Sequence, residues 1–325
     1  MLSKRLLILA FMAAGLAGSA CSKQPSLRLH GFLESLEIAP VLLAAGHHYP
    51  RGISLHRGGI ANLVGRVTSG YGEPGEADLA TNAETQLLRH SVGNPDLRVI
   101  MTVTEGNYRI VARRSAGITQ LADLKGKRIG TMDNTSAAWF LERMLASVQL
   151  TPADVTVLGD IDLPQLSDAL VEGRVDAISM WSPEPEEAAL ALGEDAIAFS
   201  GEGIYREIFS INTTAQILAD PARRRDIRAF LAALLAANDE MAADPGRARQ
   251  LVTARMTDYA PDVIAAAWPH HRYLAGKVPD LLDVMAEQEQ WVARVDGRAA
   301  RPREALAALI DYSLLEEVLA ERAAR

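Results

Sequence analysis

Along the first two thirds of the chain, short apolar runs alternate with polar turns and with stretches in which apolar residues recur at helical spacing. S-L-R-L-H at 26–30, I-S-L-H-R at 53–57, A-D-L-A-T at 77–81, L-R-V-I-M-T-V at 97–103 and Y-R-I-V-A-R at 108–113 predict strands. Helical spacing appears between them, from about Pro40 to Ala45 and from Asn82 or Glu84 to about His90. The plan then repeats. I-T-Q-L-A-D-L predicts a short connecting helix, and K-R-I-G-T, D-V-T-V-L and D-A-I-S-M predict strands. Helices are predicted over 137–149, from Leu163 to Gly173, and from the S-P-E-P-E-E segment onward, where proline sits near the first turn. In the first of these, Ala137, Phe140, Leu141, Met144, Leu145 and Val148 share one face. After a strand in I-F-S-I-N at 208–212 the pattern is helical to the end, broken at Asp220-Pro221, Asp244-Pro245 and Ala260-Pro261. Strands alternating with helices predict a mostly parallel α/β architecture.

With 325 residues, 49% of them hydrophobic, the chain exceeds what one core needs, and two domains or lobes are expected. Only the start is unusual. M-L-S-K-R, an apolar run and small residues lead to Cys21, the single cysteine, which reads as an export signal over residues 1–20 and not as a spanning helix. The segment resembles a bacterial lipoprotein attachment site, with Cys21 as the lipidated residue and 21–26 as a linker. Gly18 stands where that motif usually has leucine, so ordinary cleavage stays open. Either outcome places the mature protein in the periplasm. Loss of Lys4 and Arg5 leaves 31 basic and 41 acidic residues, a net charge of −10 that argues against nucleic acid or an anionic membrane as partners.

I-T-Q-L-A-D-L-K-G-K-R-I-G, D-V-T-V-L and A-L-V-E-G-R-V-D-A-I-S-M-W-S-P-E-P together resemble the second lobe of ABC-transporter substrate-binding proteins of the sulfonate, nitrate, taurine and thiamine-pyrimidine type. The resemblance continues through A-D-P-A-R-R-R-D-I-R-A-F-L-A-A-L-L-A-A-N and D-P-G-R-A-R-Q-L-V, and covers most of residues 27–275. It implies a periplasmic-binding-protein fold of type 2: two α/β lobes, with mixed sheets and flanking helices, hinged by two crossing strands. Lobe I would take residues 27–113 and 207–325, lobe II residues 114–206, with crossings at Ile110 to Arg113 and Ile208 to Asn212. It also implies a monomer that closes on a small solute and presents it to an ABC permease and ATPase complex, with no cofactor and no catalysis.

In doubly wound sheets, ligands sit beyond the carboxyl ends of the strands. Four turns occupy such places: His30 to Glu37, Thr81 to Thr85, Asp133 to Ser136 and Met180 to Glu184. Candidate contacts are His30 and Glu34 in the first, Thr81, Asn82 and Glu84 in the second, Asn134, Thr135 and Ser136 in the third, and Trp181 and Glu184 in the fourth. Each has a structural alternative. Asn134, Thr135 or Ser136 would serve equally as a helix cap, Glu84 would balance a helix dipole, and Trp181 could pack between lobes. Trp139 is as much a core residue as a site residue, and Tyr71 would reach the cleft from the Gly-rich turn.

Glu34, Glu37 and Glu184 would ring the cleft with carboxylates, which favours an uncharged or cationic nitrogen compound, such as a heterocycle, over the sulfonate, taurine or nitrate that the resemblance also allows. The histidine pairs His47-His48 and His270-His271 lack metal-site spacing, so no metal is expected. Two other functions remain open: a periplasmic sensor partner, and a pyrimidine-synthase-like enzyme, against which the export signal argues.

Overall fold

A computed structural model describes residues 26–65 and 72–324. The export signal, Cys21 and Tyr71 lie outside these residues. In chain order the elements of the first half are β1 (Leu27–Gly31), α1 (Ala39–Leu43), β2 (Ile53–Arg57), α2 (Ile60–Leu63), β3 (Leu79–Ala83), α3 (Glu84–His90), β4 (Leu97–Gly106), β5 (Arg109–Arg113), β6 (Arg128–Gly130) and α4 (Ser136–Ser147). Then come β7 (Thr156–Leu158), α5 (Leu166–Val171), β8 (Ala177–Met180), α6 (Glu184–Leu192), β9 (Ala196–Ser200) and β10 (Glu207–Thr214). The C-terminal part comprises α7 (Ala215–Ala219), α8 (Pro221–Ala243), α9 (Pro245–Thr253), α10 (Pro261–Ala267), β11 (His271–Gly276), α11 (Leu281–Val295), α12 (Arg303–Ala307) and α13 (Ser313–Ala323).

Two mixed sheets form. The first has the order β11-β4-β10-β3-β1-β2 and the second β7-β6-β8-β5-β9. One apolar cluster, including Leu27, Leu29, Val103 and Phe230, packs α1, α8 and α9 on one face of the first sheet, and another, including Leu88, Val99, Met285 and Trp291, packs α3 and α11 on the other. Lobe II has its own core, built on Ile110, Ile129, Phe140, Leu166 and Ile178. The breaks at 220–221 and 244–245 are helix starts of the expected kind. Asp220 caps α8 through the Ala222 and Arg223 amides, and Asp244 caps α9 through the Arg247 amide.

Two strands differ from expectation. The tail after Asn212 is not wholly helical, because His271–Gly276 pairs antiparallel with β4 as an edge strand of the first sheet. Ala196–Ser200, for which no strand is predicted, pairs with β5 at the edge of the second. Both edge strands are largely part-exposed and owe their form to a single distant neighbour, which local pattern does not carry.

The outward crossing also lies earlier than expected. Arg109–Arg113 belongs to the second sheet, between β8 and β9. Asn107 still bonds to the His270 carbonyl of lobe I (3.0 Å), whereas the next residue, Tyr108, accepts from the Gly201 amide of lobe II (3.0 Å). The chain thus passes between lobes at 107–108 and returns through 201–206. Both passages bring side chains to the base of the cleft.

Candidate functional site

A cavity of about 540 Å³ opens between the lobes. The ends of β1, β2 and β3 wall it from lobe I, and the turn before α4 and the residue after β8 wall it from lobe II. Five of the ten candidate residues line it: Asn82, Asn134, Thr135, Ser136 and Trp181.

The turn before α4 has both of its anticipated characters. Thr135 caps the helix, accepting from the Ala137 amide at 3.2 Å, while its hydroxyl donates to the Met132 carbonyl at 2.7 Å. Asn134 takes a left-handed conformation (φ 61°), and its carbonyl and side-chain oxygen accept from Gln86 (3.2 Å) and Arg89 (3.4 Å) across the cleft. Ser136 shares a 2.9 Å hydrogen bond with the Tyr108 hydroxyl at the crossing. In lobe I, Asn82 caps α2 by accepting from the Ile60 amide at 2.8 Å.

Trp181 is 7% exposed, stands edge-on to Phe32 at 5.5 Å, and has an indole N–H with no hydrogen-bond partner among the described residues. With Tyr108 and Phe32 it forms an aromatic wall, one ring from each lobe and one from the crossing.

Of the carboxylates expected to ring the cleft, Glu37 reaches the cavity floor, beside residues that the sequence pattern does not single out. Glu37 (1% exposed) and Glu207 (3%) converge over Gly106, where a Cβ would lie 2.9 Å from an oxygen of each carboxyl. Both Glu37 oxygens and Oε2 of Glu207 lack a donor among the described residues. Burial, then the carboxyls of Glu37 and Glu84 close by, pushes the Glu207 carboxyl well above the ordinary range. Nε2 of the buried His271 lies 3.4 Å from Glu37. Glu207 opens a return strand whose other residues are apolar or small and neutral; a carboxylate there is the one sequence signal that could have marked it. Tyr108, just before the first strand of lobe II, gives none.

The other five candidates lie elsewhere. Glu84 and Thr81 are inside lobe I. The Glu84 carboxyl accepts from the Ile208 amide (2.9 Å), the Tyr205 hydroxyl (3.4 Å) and Gln288, tying α3 to β10 and α11, and burial pushes it up to about 7. Thr81 is fully buried, its hydroxyl close to where a Gly31 side chain would begin. His30 is buried and stacks on His56 at 5.0 Å. Glu34 and Glu184 line a second cavity.

Away from the cavity a separate contact joins the lobes. Trp139 of α4 packs on Trp291 of α11 at 5.5 Å; Glu142 accepts from the Trp291 indole (3.0 Å) and pairs with Arg294, and Arg143 pairs with Glu287 at 2.7 Å. Trp139 therefore bridges two cores, which is why its spacing looked equally suited to core and to site.

Two lobes, two crossings and a cavity between strand ends define the α/β architecture of periplasmic binding proteins. The solved alkanesulfonate-binding protein SsuA of Xanthomonas axonopodis pv. citri has the same fold: TM-score 0.69 at 20% identity, over 88% of this chain and 97% of that one. The desulfurization enzyme DSZB shares it too, with TM-score 0.60 at 14% identity over 91% of this chain and 99% of that one. In sequence, a putative thiamine biosynthesis protein of Haemophilus influenzae is 27% identical over 221 residues, 66% of this chain and 68% of that protein. The profile of the family described as NMT1/THI5 like matches residues 69–248, more than half of the chain, and the chain belongs to that family.

Proposed function

We propose that this protein is an extracytoplasmic solute-binding protein that takes a nitrogen heterocycle with an amidine-type edge, such as a 4-aminopyrimidine, into the inner cavity and delivers it to an ABC import complex. The observation that carries this reading is the Glu37–Glu207 pair: two buried carboxyls that converge over Gly106 at the cavity floor, with oxygens left unpartnered among the described residues. An aminopyrimidine edge offers one acceptor and one donor side by side. Neutral Glu207 donates to the ring nitrogen, and the remaining negative charge of the pair accepts from the exocyclic amine.

Trp181 and Phe32 supply apolar faces for the planar ring, and the Ser136–Tyr108 hydroxyls supply a second polar edge. Because Glu37 and Glu207 belong to lobe I and Ser136 and Trp181 to lobe II, the ligand interacts more strongly with the closed arrangement than with an open one. That differential affinity is what drives closure. The name of the Haemophilus relative fits a pyrimidine ligand.

Catalysis is not part of the reading. Two hydroxyls of the cavity wall, Ser136 and Tyr108, bond to each other, and burial raises the Tyr108 hydroxyl well above its ordinary range, so neither is an activated nucleophile. The proposed anchor is lipid on Cys21, which mass analysis of the mature N-terminus reports directly.

The test is a thermal-shift panel of aminopyrimidines, alkylamines, sulfonates and nitrate. A ligand at a hundredfold excess over its dissociation constant stabilises by about 2.7 kcal/mol. Aminopyrimidines are expected to shift the transition; a response confined to sulfonates or nitrate sinks the reading.

A further inference from the structure

The second cavity, about 850 Å³, also lies between the two lobes. Glu34, Arg57, Glu73, Asp258 and Tyr259 line it from lobe I, and Asp162, Glu184 and Glu187 from lobe II. Its wall thus has six carboxylates against one guanidinium. That guanidinium is already shared, because Arg57 pairs with Glu34 (2.8 Å) and with Asp258 (2.7 Å).

Glu184 sets this wall apart from a solvated acidic surface. It is 2% exposed; one carboxyl oxygen accepts from the Tyr259 hydroxyl, and the other is buried with no partner among the described residues. An unpartnered buried carboxyl oxygen costs free energy that a bound donor recovers. A cationic donor suits this wall best, since the charged residues that line it are all negative except Arg57. Among the described residues no group of His, Cys, Asp and Glu is arranged to hold a metal ion, and the volume suits an organic molecule.

We propose that this cavity is a second binding site, for an organic cation bearing a primary ammonium or guanidinium group, with Glu184 as the deep contact and Glu34 and Glu187 around it. The site is distinct from the inner cavity and does not depend on what that cavity binds. Occupancy joins the lobes, since its walls come from both.

The groups facing Glu184 are Tyr259 from the segment before α10, Glu187 one turn along α6, Glu37 beyond the aromatic wall, and Glu34 with Arg57 across the cavity. Burial first, with Glu187 and Glu37 adding to it, pushes the Glu184 carboxyl up to about 8. A cation that seats there displaces this proton, so its affinity rises from pH 6 to pH 8.5, where alkylammonium groups remain charged.

The experiment is calorimetric titration of the mature protein with spermidine, agmatine and, as the uncharged control, 1,6-hexanediol, at pH 6 and 8.5. Saturable binding of both cations is expected, about tenfold tighter at pH 8.5, with none of the diol. Glu184→Gln is expected to weaken both cations about tenfold at pH 8.5 and to abolish the pH dependence. Should that variant fold poorly, Glu187→Gln, at a half-buried position, is expected to weaken them with the melting transition intact.

Absence of saturable cation binding at pH 8.5 overturns the proposal, as does wild-type affinity in folded Glu184→Gln and Glu187→Gln. Loss of cation binding in Glu37→Gln with retention in those two places the cation in the inner cavity; this overturns the second site and leaves the inner-cavity reading standing.

Discussion

Replacing Glu37 with glutamine should raise the stability of the protein and lower its affinity for ligand at once. The floor holds two buried carboxyls, and both Glu37 oxygens are without a hydrogen-bond partner among the described residues. An unsatisfied buried polar group costs about 1–3 kcal/mol, more when charged. Glutamine keeps the shape, removes the charge and can donate to Glu207, recovering about that amount. Unfolding entropy of about 2.1 cal/mol/K per residue makes each kcal/mol worth roughly 1.6 °C in a chain of this size, so the melting temperature should rise by about 2–5 °C.

The same charge is what the proposed ligand's amine uses. Its loss removes a charge-assisted hydrogen bond worth about 1.5–3 kcal/mol, or roughly a 10- to 150-fold rise in Kd. Scanning fluorimetry without ligand and calorimetry with a 4-aminopyrimidine measure the two effects separately. A variant that melts lower than wild type and binds as well would refute the reasoning, because it would show that Glu37 serves the fold and not the ligand.

Three further outcomes follow from the geometry. Trp181→Ala should weaken aminopyrimidine binding by about tenfold or more while both lobes stay folded by circular dichroism, since an aromatic ring against a base-like planar ligand is worth about 1–3 kcal/mol; unchanged affinity would assign Trp181 to packing alone. Glu84 is raised to about 7 in the folded protein from an ordinary 4.5, so its contribution is complete below about pH 4.5 and is lost as pH rises through 7, about 3 kcal/mol in all; Glu84→Gln should flatten that part of the stability profile, and an unaltered profile in urea titrations from pH 5 to 8 would contradict it. Thr135→Ala should cost about 1 kcal/mol through loss of the α4 cap, read as a shifted urea midpoint with unchanged slope.

Most of the alternation of strand and helix through residue 212 was legible because its pattern is local; the exception, Ala196–Ser200, is a part-exposed edge strand. The features that pattern reading passed over share one property. Glu207, Tyr108 and the edge strand at 271–276 acquire their roles from partners more than a hundred residues away or from a chain crossing, and nothing in their immediate neighbours records it. Candidate residues at strand ends fared according to the same rule. Asn134, Thr135, Ser136 and Trp181 reach the cavity from just beyond strand ends, and Asn82 from the end of β3. Glu84 occupies a turn of the same kind, yet its side chain runs inward to meet the Ile208 amide and Gln288, both supplied by later parts of the chain. Its role as a tie across lobe I therefore could not be read from residues 81–85.

The contact of Trp139 and Glu142 with Trp291 and Arg294 joins the lobes at a distance from any bound solute. Loosening it would change the resting balance between open and closed forms, and so would scale the apparent affinity of every solute by one common factor. The order of preference among solutes would stay as the cavity floor sets it. Selectivity and sensitivity thus sit on different residues, and the working range of the protein can be retuned through α4 and α11 without altering what it chooses.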